Sequence, residues 1–188
     1  FISMRIEIIQ DKHLEMLQEF CNNCKELGYV NNSSFKQMRL LWCKENGEYW
    51  CAIKEGKIVA VAGCHTLPEV SDSAYRILFR GCELPRSDNF KGLGKAQWNS
   101  ITFRDFIPQF IKYLPNILLY ITTNIDNDHS NGRSSRNHRT MTLMSKQGIL
   151  DNCGDMFLNN TNQTLWRLNT SEYLRRRERI GNEYVAKF

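Results

Sequence analysis

Runs of apolar residues along the chain predict six strands. β-Branched and aromatic residues dominate these runs, as is typical of strands. Glu55-Gly56 stands between two of them and predicts a tight hairpin turn. The most β-rich run follows Asn116 and predicts a central strand buried on both faces. The predicted strands are 5–9, 49–53, 57–65, 75–83, 117–123 and 164–168, with a weak strand start at Phe157.

Between these runs, apolar residues recur at the i, i+3 and i+4 spacing that predicts helices. Polar caps or a glycine mark most of the predicted helix ends. The third helix contains Pro108, which should kink or interrupt it. The predicted helices run from an Asp11 cap to Gly28, from the Asn31–Ser34 cap to Glu45, onward from Gly94, from Asn137 to Gln147 with Gly148 closing it, and onward from a Ser171 cap.

Length and composition fit one globular domain. The chain has 188 residues, of which 41% are hydrophobic and 24% charged, and its net charge is +5. We predict a single domain over 4–188, with 1–3 as an expression remnant and 171–188 as a basic terminal helix or tail. No apolar run reaches membrane-spanning length and no signal peptide is visible, so no membrane partner is expected. Seven cysteines, an odd number, predict free thiols in a reducing compartment, the cytoplasm.

The segment from Tyr75 to Ala96 combines a strand, a glycine-rich turn and the start of a helix. Gly92 and Gly94 carry no Cβ, so the backbone there can approach a ligand closely. A helix start adds unpaired amides and the positive end of its dipole. The pattern is equally compatible with a phosphate cradle and with an ordinary loop before a helix. It lacks the ending of a Walker loop, and Gln97 occupies the third glycine position of a dinucleotide fingerprint.

Three other polar groups admit both a functional and a structural interpretation. Cys21 and Cys24 are the only close cysteine pair, and we favour ordinary thiols over a zinc site because there is no second pair. The terminal helix carries Arg175, Arg176, Arg177 and Arg179, a cluster for which we favour a solvated face over a nucleic-acid patch. A polar segment carries Asp126, Asp128 and His129, which are candidates for a divalent metal or for orienting an acceptor, although such loops commonly satisfy their own backbone. No metal is assigned.

The order of elements and two local motifs resemble the GNAT superfamily of acyl-coenzyme A N-acyltransferases. Phe90-Lys91-Gly92-Leu93-Gly94-Lys95-Ala96 matches the pyrophosphate loop of that family, with Lys91 replacing the usual Arg or Gln. The resemblance covers Glu48 to Ile149 well and the ends loosely, as in a divergent member. A second motif follows the next strand, where the matching residues are Asn137, Thr140, Leu143, Lys146, Gly148 and Ile149.

The resemblance implies an α/β (α+β) fold. The expected sheet is central, mixed and mostly antiparallel, with six or seven strands, a splayed parallel pair and helices on both faces. The implied cofactor is acetyl-CoA (coenzyme A). The resemblance implies that the pantetheine arm pairs with backbone groups around Cys82, Glu83 and Leu84. It implies that the pyrophosphate is held by the amides of Gly92, Leu93, Gly94, Lys95 and Ala96, with Lys91 adding a charge, and that Asn124 and Asn137 lie near the thioester.

One position departs from the family pattern. The tyrosine that often protonates the leaving thiolate falls at Met144, and a thioether has no proton to donate. The donor is then Ser145, His138 or water, or the chemistry differs. The polar segment 124–136 is also longer than the usual connection.

Acyl transfer to an amine requires a base and donors that polarise the thioester carbonyl. Glu83 ends the predicted strand 75–83 and is the first candidate for the base; the alternative is a solvated carboxylate at a strand end. His65 and Glu69 follow the hairpin and are expected to open toward the same cleft. His65 is a candidate base suited to neutral pH; the alternative is a structural histidine held by hydrogen bonds. Arg80 lies in an apolar strand, where an unpaired charge is costly, so it reaches solvent, pairs with a carboxylate or holds an anionic acceptor.

The leading hypothesis is an acyl-CoA-dependent N-acyltransferase, with acetyl-CoA as the default donor and direct attack by an amine in a ternary complex. The acceptor is a small-molecule or peptide amine, and the protein is a monomer or homodimer. The alternatives are a GNAT-like phage protein that modifies DNA, of the Mom type, and a non-catalytic coenzyme-binding module. The catalytic candidates are Glu83, His65, Glu69 and Ser145, and the acceptor-binding candidates are Arg80, Asp126, Asp128 and His129.

Overall fold

The computed structural model describes residues 4–24, 32–84, 101–114, 116–125 and 133–186, without the side chains of 78–79, 133–137 and 179–186. Internal contacts divide the chain into two compact units. The single-domain interpretation of 4–188 stays a prediction. The first unit contains β1 (Arg5–Ile8), α1 (Leu14–Asn23), α2 (Ser33–Asn46), β2 (Gly47–Lys54), β3 (Lys57–Thr66), β4 (Ala74–Cys82) and α3 (Ile107–Tyr113). The second contains β5 (Leu118–Asn124), α4 (Arg133–Lys146), β6 (Leu150–Leu158), β7 (Thr161–Leu168) and α5 (Thr170–Ala186).

The strands of the first unit pair antiparallel in the order β1-β2-β3-β4. The predicted hairpin turn is confirmed, because Glu55 and Gly56 both have positive φ angles, 53° and 73°, as a two-residue turn of this kind requires. Between the pairs Ala62–Arg80 and Cys64–Ile77, β4 uses one residue more than β3 does. This extra residue is a β-bulge, which bends β4 and changes the direction of the side chains that follow it.

Helices α1 and α2 pack against each other and against one face of this sheet. The apolar face of α1 is buried as predicted, through Leu17, Phe20 and Cys21. On α2, Leu40 and Cys43 are buried, whereas Phe35, Met38 and Trp42 are exposed. Gly47 joins α2 to β2 without a loop, and a Cβ there would lie 2.0 Å from the carbonyl oxygen of Cys64. The backbones therefore approach this closely only because residue 47 is glycine.

The start of the first helix differs from the prediction. A 3₁₀ turn, Asp11–His13, precedes α1, and its cap is Gln10 rather than Asp11. The backbone N–H of Gln10 donates to Nδ1 of His13 at 2.9 Å, so the histidine performs the capping role that the sequence assigned to the aspartate. The second cap is confirmed, because Oδ1 of Asn32 accepts from the amides of Ser34 and Phe35.

A π-helical segment, Thr102–Phe106, leads directly into α3. Pro108 lies at the junction of the π-helical segment and α3, so the predicted interruption takes the form of a change of helix type. The rings of Tyr113 and Trp50 lie 5.1 Å apart. Trp50 points to the sheet face opposite Tyr49, which belongs to the core beneath α1 and α2. Helices therefore cover both faces of the first unit's sheet.

The second unit has three strands in the antiparallel order β5-β7-β6. The prediction for β6 is wrong. The prediction contained only a weak strand start at Phe157, whereas β6 begins at Leu150 and pairs with β7 from Leu150 to Leu158, with one shift of register. A turn at Asn159 and Asn160, with φ angles of 50° and 62°, joins these two strands as a hairpin.

Helix α4 packs on β5 and β6 and begins four residues before the predicted start. Gly148 follows it with a φ angle of 79°, which confirms its predicted role at the helix end. The cap of α5 is Asn169, whose Oδ1 accepts from the amide of Glu172 at 3.2 Å, so the prediction of Ser171 is corrected by two residues. An asparagine carboxamide caps as well as a serine hydroxyl, and the sequence places both residues near the helix start.

The predicted fold class is confirmed as a mixed α/β (α+β) arrangement with a mostly antiparallel sheet. Within each unit, the described strand pairings are all antiparallel. Within the described ranges, none of the helices combines the length and the apolar character needed to cross a bilayer.

Candidate active site

Glu83 directly follows the bulged strand β4. Its backbone N–H donates to the carbonyl oxygen of Val59 at 2.8 Å, so the strand pairing continues through this residue. Its side chain is exposed and lies near Cys24 at the end of α1. Burial raises the pKa of the Cys24 thiol to about 11, and the negative charge of Glu83 contributes to the rise. A solvent-accessible carboxylate therefore stands at the end of β4.

The neighbours of Glu83 on this strand are less accessible. Cys82 and Leu84 are half-buried. Burial raises the pKa of the Cys82 thiol to about 11, so it is a thiol rather than a thiolate at neutral pH. Arg80 is also half-buried, and it makes a polar or electrostatic contact. Arg80 is therefore not an unpaired charge in an apolar strand, the costly case that the sequence raised.

His65 and Glu69 do not join Glu83. His65 pairs with Arg76 near the start of β4, whereas Glu83 pairs with Val59 beyond the other end of that strand. At about 3.3 Å per residue, the two positions are separated by roughly 20 Å along the strands. Glu69 lies in the exposed turn that connects β3 to β4, also at the end remote from Glu83. The expectation that these three residues open toward one cleft is therefore corrected.

The surroundings of His65 favour a structural role. Its Nδ1 donates to the carbonyl oxygen of Thr66 at 2.8 Å, and its ring meets the ring of Trp42 edge-on at 4.8 Å. With 6% of its surface exposed, burial lowers the pKa of His65, and the charge of Arg76 contributes to that lowering. Its Nε2 is buried and has no hydrogen-bond partner in the described part of the chain. A base role there requires a substrate to reach a buried nitrogen.

The second unit contains a polar chain that the sequence did not predict. The indole Nε1 of Trp166 lies 2.8 Å from Oγ1 of Thr123, and this oxygen lies 3.0 Å from Nδ1 of His138. The rings of His138 and Trp166 meet edge to face, with centroids 5.5 Å apart. Trp166 was the signal from which the sequence analysis could have found this chain, because a tryptophan in an apolar strand still needs an acceptor for its N–H.

The other predicted residues of the second unit lie on β5 and α4. Asn124 ends β5, is half-buried and pairs in register with Gln163. Asn137 belongs to the backbone of α4, but its side chain is outside the described set. Met144, at the position of the missing tyrosine, is 2% exposed and contributes to packing. Ser145 is half-buried, and its carbonyl oxygen accepts from the amide of Gly148 at 2.9 Å.

Several predicted residues lie outside the described ranges. Across the residues that are described, no three His, Cys, Asp or Glu side chains are grouped as a metal site requires. Cys21 and Cys24 are buried free thiols, as are Cys43, Cys51 and Cys64. The predicted residues outside the described ranges are Lys91, Gly92, Leu93, Gly94, Lys95, Ala96, Asp126, Asp128 and His129.

His13, a second histidine of the first unit, lies within ion-pair distance of Glu7, and the sequence did not predict this contact. Nε2 of His13 lies 2.8 Å from Oε2 of Glu7, and this hydrogen bond lowers the pKa of Glu7. The pair lines an open cavity of about 300 Å³ beside the aromatic rings of Trp50 and Tyr113. Because Nδ1 of His13 already accepts from the amide of Gln10, neither ring nitrogen is available as a base.

The terminal arginines are partly occupied by contacts within the second unit. Arg175 and Arg176 both bind the carboxylate of Glu172, at 2.6 and 2.9 Å. Arg176 also donates to the carbonyl oxygen of Gln147 near the end of α4, at 2.5 Å. These contacts favour the structural interpretation of the cluster over a nucleic-acid surface.

Comparison with known proteins gives matches at the level of structure. No protein-family model matches the sequence, and no curated protein does. The structure resembles the aminoglycoside acetyltransferase AAC(6')-Ib in complex with coenzyme A and kanamycin, at 13% identity over 92% of this chain and 98% of that one, with a TM-score of 0.57. It resembles the aminoglycoside 6'-N-acetyltransferase of Enterococcus faecium at 10% identity over 87% and 95%, with a TM-score of 0.55.

A third similar structure is named for a different activity. It is the GNAT-like decarboxylase GphF in complex with isobutyryl-CoA, at 13% identity over 87% of this chain and 98% of that one, with a TM-score of 0.52. Likeness at such identities establishes the fold. The chain therefore has the GNAT fold that its two motifs predicted.

Proposed function

We propose that this chain is an acyl-coenzyme A-dependent N-acyltransferase, with acetyl-CoA as its default donor and a small-molecule amine as its acceptor. The observation that carries the proposal is the bulged strand β4, which in a GNAT fold leads into the glycine-rich turn Lys91–Ala96. The likeness to an acetyltransferase bound to coenzyme A and kanamycin supports it. A fold by itself hosts several chemistries, as the GNAT-like decarboxylase illustrates, so the residues must carry the argument.

The residues present suit coenzyme A. A bulge interrupts the strand pairing shortly before Cys82, and interrupted pairing leaves backbone groups for the amides of a pantetheine arm. The sequence Lys91–Ala96 matches the pyrophosphate loop of the family, and Lys91 adds a positive charge suited to a diphosphate. In the second unit, Asn124 and Asn137 supply amide side chains for the thioester end. The bound coenzyme would supply an activated acyl group.

Glu83 is the proposed base. Its exposed carboxylate can take a proton from the attacking amine directly or through one water molecule. The amine nitrogen then bonds to the acyl carbon while the carbon–sulfur bond breaks, and the released thiolate takes up a proton from solvent. Direct transfer is favoured over an acyl-cysteine, because burial raises the pKa values of Cys82 and Cys24 to about 11. Protonated thiols are weak nucleophiles.

The test is calorimetric titration with coenzyme A and acetyl-CoA, followed by assay of thiol release with a panel of small amines. Lys91→Glu should weaken coenzyme A binding about tenfold by placing a negative charge beside the diphosphate. Lys57→Glu is the matched control, because Lys57 is an exposed lysine in the hairpin of the first unit. No binding of either compound contradicts the proposal. Binding without turnover on any amine would instead favour a non-catalytic coenzyme-binding module.

A further inference from the structure

The cavity beside the Glu7–His13 pair in the first unit has an aromatic wall. Trp50 lines it from β2 and is 5% exposed, whereas Tyr113 lines it from α3 and is 51% exposed. The planes of the two rings are tilted by 40°. The exposed side chain of Ile8, on β1, extends this wall. A flat apolar ring placed here would cover aromatic surface that water now contacts.

The carboxylate of Glu7, which also lines this cavity, already has partners in the protein. The backbone N–H of Gln10 can only donate, so Nδ1 of His13 is its acceptor and the ring proton is on Nε2. This Nε2–H donates to Oε2 of Glu7 at 2.8 Å. The other oxygen, Oε1, lies 3.9 Å from Nε of Arg5. The negative charge of Glu7 is therefore balanced without a cationic ligand.

Two lysines give the cavity a positive charge. Lys12 lines it, and within the described part of the chain no carboxylate lies within ion-pair distance of its ammonium group. The carboxylate of the adjacent residue, Asp11, pairs with Lys44 at 3.3 Å instead. The ammonium group of Lys112 lies 5.2 Å from the centre of the tyrosine ring in the wall. A surface with this excess of positive charge attracts anions.

We infer that this cavity binds a small aromatic carboxylate, whose flat ring packs against Trp50 and Tyr113 and whose carboxylate pairs with Lys12. The volume of about 300 Å³ is at the lower end of the range for small-molecule sites, which suits a ligand of one or two rings. The inference does not depend on the proposed function.

The cavity is separate from the site proposed around Glu83. It lies against β1, and β1 and β4 are the two ends of the strand order in the first unit. At about 4.8 Å per strand, roughly 14 Å separates these two strands. A ligand of one or two rings in the cavity therefore does not reach Glu83.

The first test compares four probes by nuclear magnetic resonance of ¹⁵N-labelled protein. Indole-3-acetate has a flat ring and a carboxylate, indole has the ring alone, acetate has the charge alone, and tryptamine carries an ammonium group on the same ring. Indole-3-acetate should shift the amide signals of Ile8, Trp50 and Tyr113, and it should bind about three- to tenfold more tightly than each of the other probes. Tighter binding of tryptamine, equal binding of indole, shifts confined to other residues or no binding of indole-3-acetate overturns the inference.

The second test removes the charge. Lys12→Gln should weaken indole-3-acetate binding about three- to tenfold and leave indole binding unchanged. Lys57→Gln is the matched control, because Lys57 is an exposed lysine in the hairpin of the same unit. An unchanged affinity of Lys12→Gln for indole-3-acetate contradicts the pairing with Lys12.

The third test removes the aromatic wall. Tyr113→Ala should weaken the binding of both indole-3-acetate and indole about three- to tenfold. Phe35→Ala is the matched control, because Phe35 is an aromatic residue of α2 with a similar exposure of 53%. Melting temperatures of the two variants separate a loss of the site from a loss of the fold. Equal losses of affinity in two folded variants would contradict a site at Tyr113.

Discussion

Glu83 and Glu69 are both exposed glutamates in the first unit, and only their places along the strands distinguish them. Glu83 follows the bulged end of β4, whereas Glu69 lies in the turn between β3 and β4. From the sequence alone, both were candidate bases, because each follows a predicted strand. Strand pairing and register decide at which end of the sheet each glutamate lies. The identity of a single residue does not encode either of them.

Glu83→Gln should therefore reduce turnover far more than Glu69→Gln. Removing a general base costs about 10²- to 10⁴-fold in kcat. Coenzyme A affinity should stay the same in both variants, because neither carboxylate is assigned to the coenzyme. Steady-state kinetics with the first active amine, together with titration calorimetry, measures the two effects separately. Equal losses of kcat in the two variants would remove Glu83 from the mechanism.

The buried imidazole of His65 predicts a pH dependence of stability. Burial lowers its pKa from the ordinary value of 6.5. Below pH 6.5, the unfolded chain therefore binds a proton that the folded protein does not, so the free energy of unfolding falls as the pH decreases. The decrease ends once the pH is below the pKa of the folded state.

His65→Asn is the matched variant for this effect. The asparagine amide keeps a donor near the carbonyl oxygen of Thr66 and does not titrate. Urea unfolding at pH 7.5 and 5.5 should show a larger loss of stability in the natural protein than in the variant. The same loss of stability in both proteins would mean that His65 takes up its proton equally well in the folded and the unfolded protein.

At the scale of elements, the polar strand β6 shows where hydrophobic pattern stops being informative. Leu150 and Leu158 are buried at its two ends, but 152–155 are exposed. The pairing with β7 shifts register between Asn152 and Asp155, and Gly154 there has a φ angle of 89°. An edge strand with one polar, bulged stretch has no alternation to detect, so only its partner strand defines it.

Lys36 shows the same limit in a helix. A lysine on α2 is expected at the surface, yet Lys36 is 2% exposed. Its ammonium group donates to the carbonyl oxygen of Cys21 at 3.3 Å and to that of Cys24. Carbonyls at a helix C-terminus have no partner in their own helix and carry the negative end of its dipole. The lysine thus holds the end of α1 on α2.

Lys36→Met should destabilise the protein by about 1–3 kcal/mol, because it leaves buried carbonyl groups without donors. Lys44→Met is the control on the same helix. Lys44 forms only an exposed ion pair with Asp11 at 3.3 Å, so its loss should cost about 0.5 kcal/mol or less. Urea unfolding of the two variants measures the difference. Equal destabilisation would show that Lys36 contributes no more than a surface lysine.

At the scale of the whole molecule, the fold could be predicted from the sequence and much of the site could not. The fold follows from local signals, such as the Glu55-Gly56 turn and the Asn32 cap, which act within a few residues. The contact between Trp166 and Thr123 joins residues 43 positions apart. No local pattern contains such a pair, because it exists only after β5 and β7 have paired in register.

Coenzyme binding provides a prediction for the molecule as a whole. A ligand that binds only the folded state stabilises it by about 2.7 kcal/mol at one hundred times its Kd. Amide hydrogen exchange with saturating coenzyme A should therefore slow overall, and most strongly at 82–84 and 92–96. The exposed turn at 68–73 lies at the opposite end of the β3–β4 pair, so its amides should exchange at unchanged rates. The Lys91→Glu variant, at the same coenzyme concentration, should show weaker protection at both coenzyme segments. Strong protection of 68–73 instead would move the coenzyme to the end of the sheet that carries His65, and Glu83 would lose its proposed role.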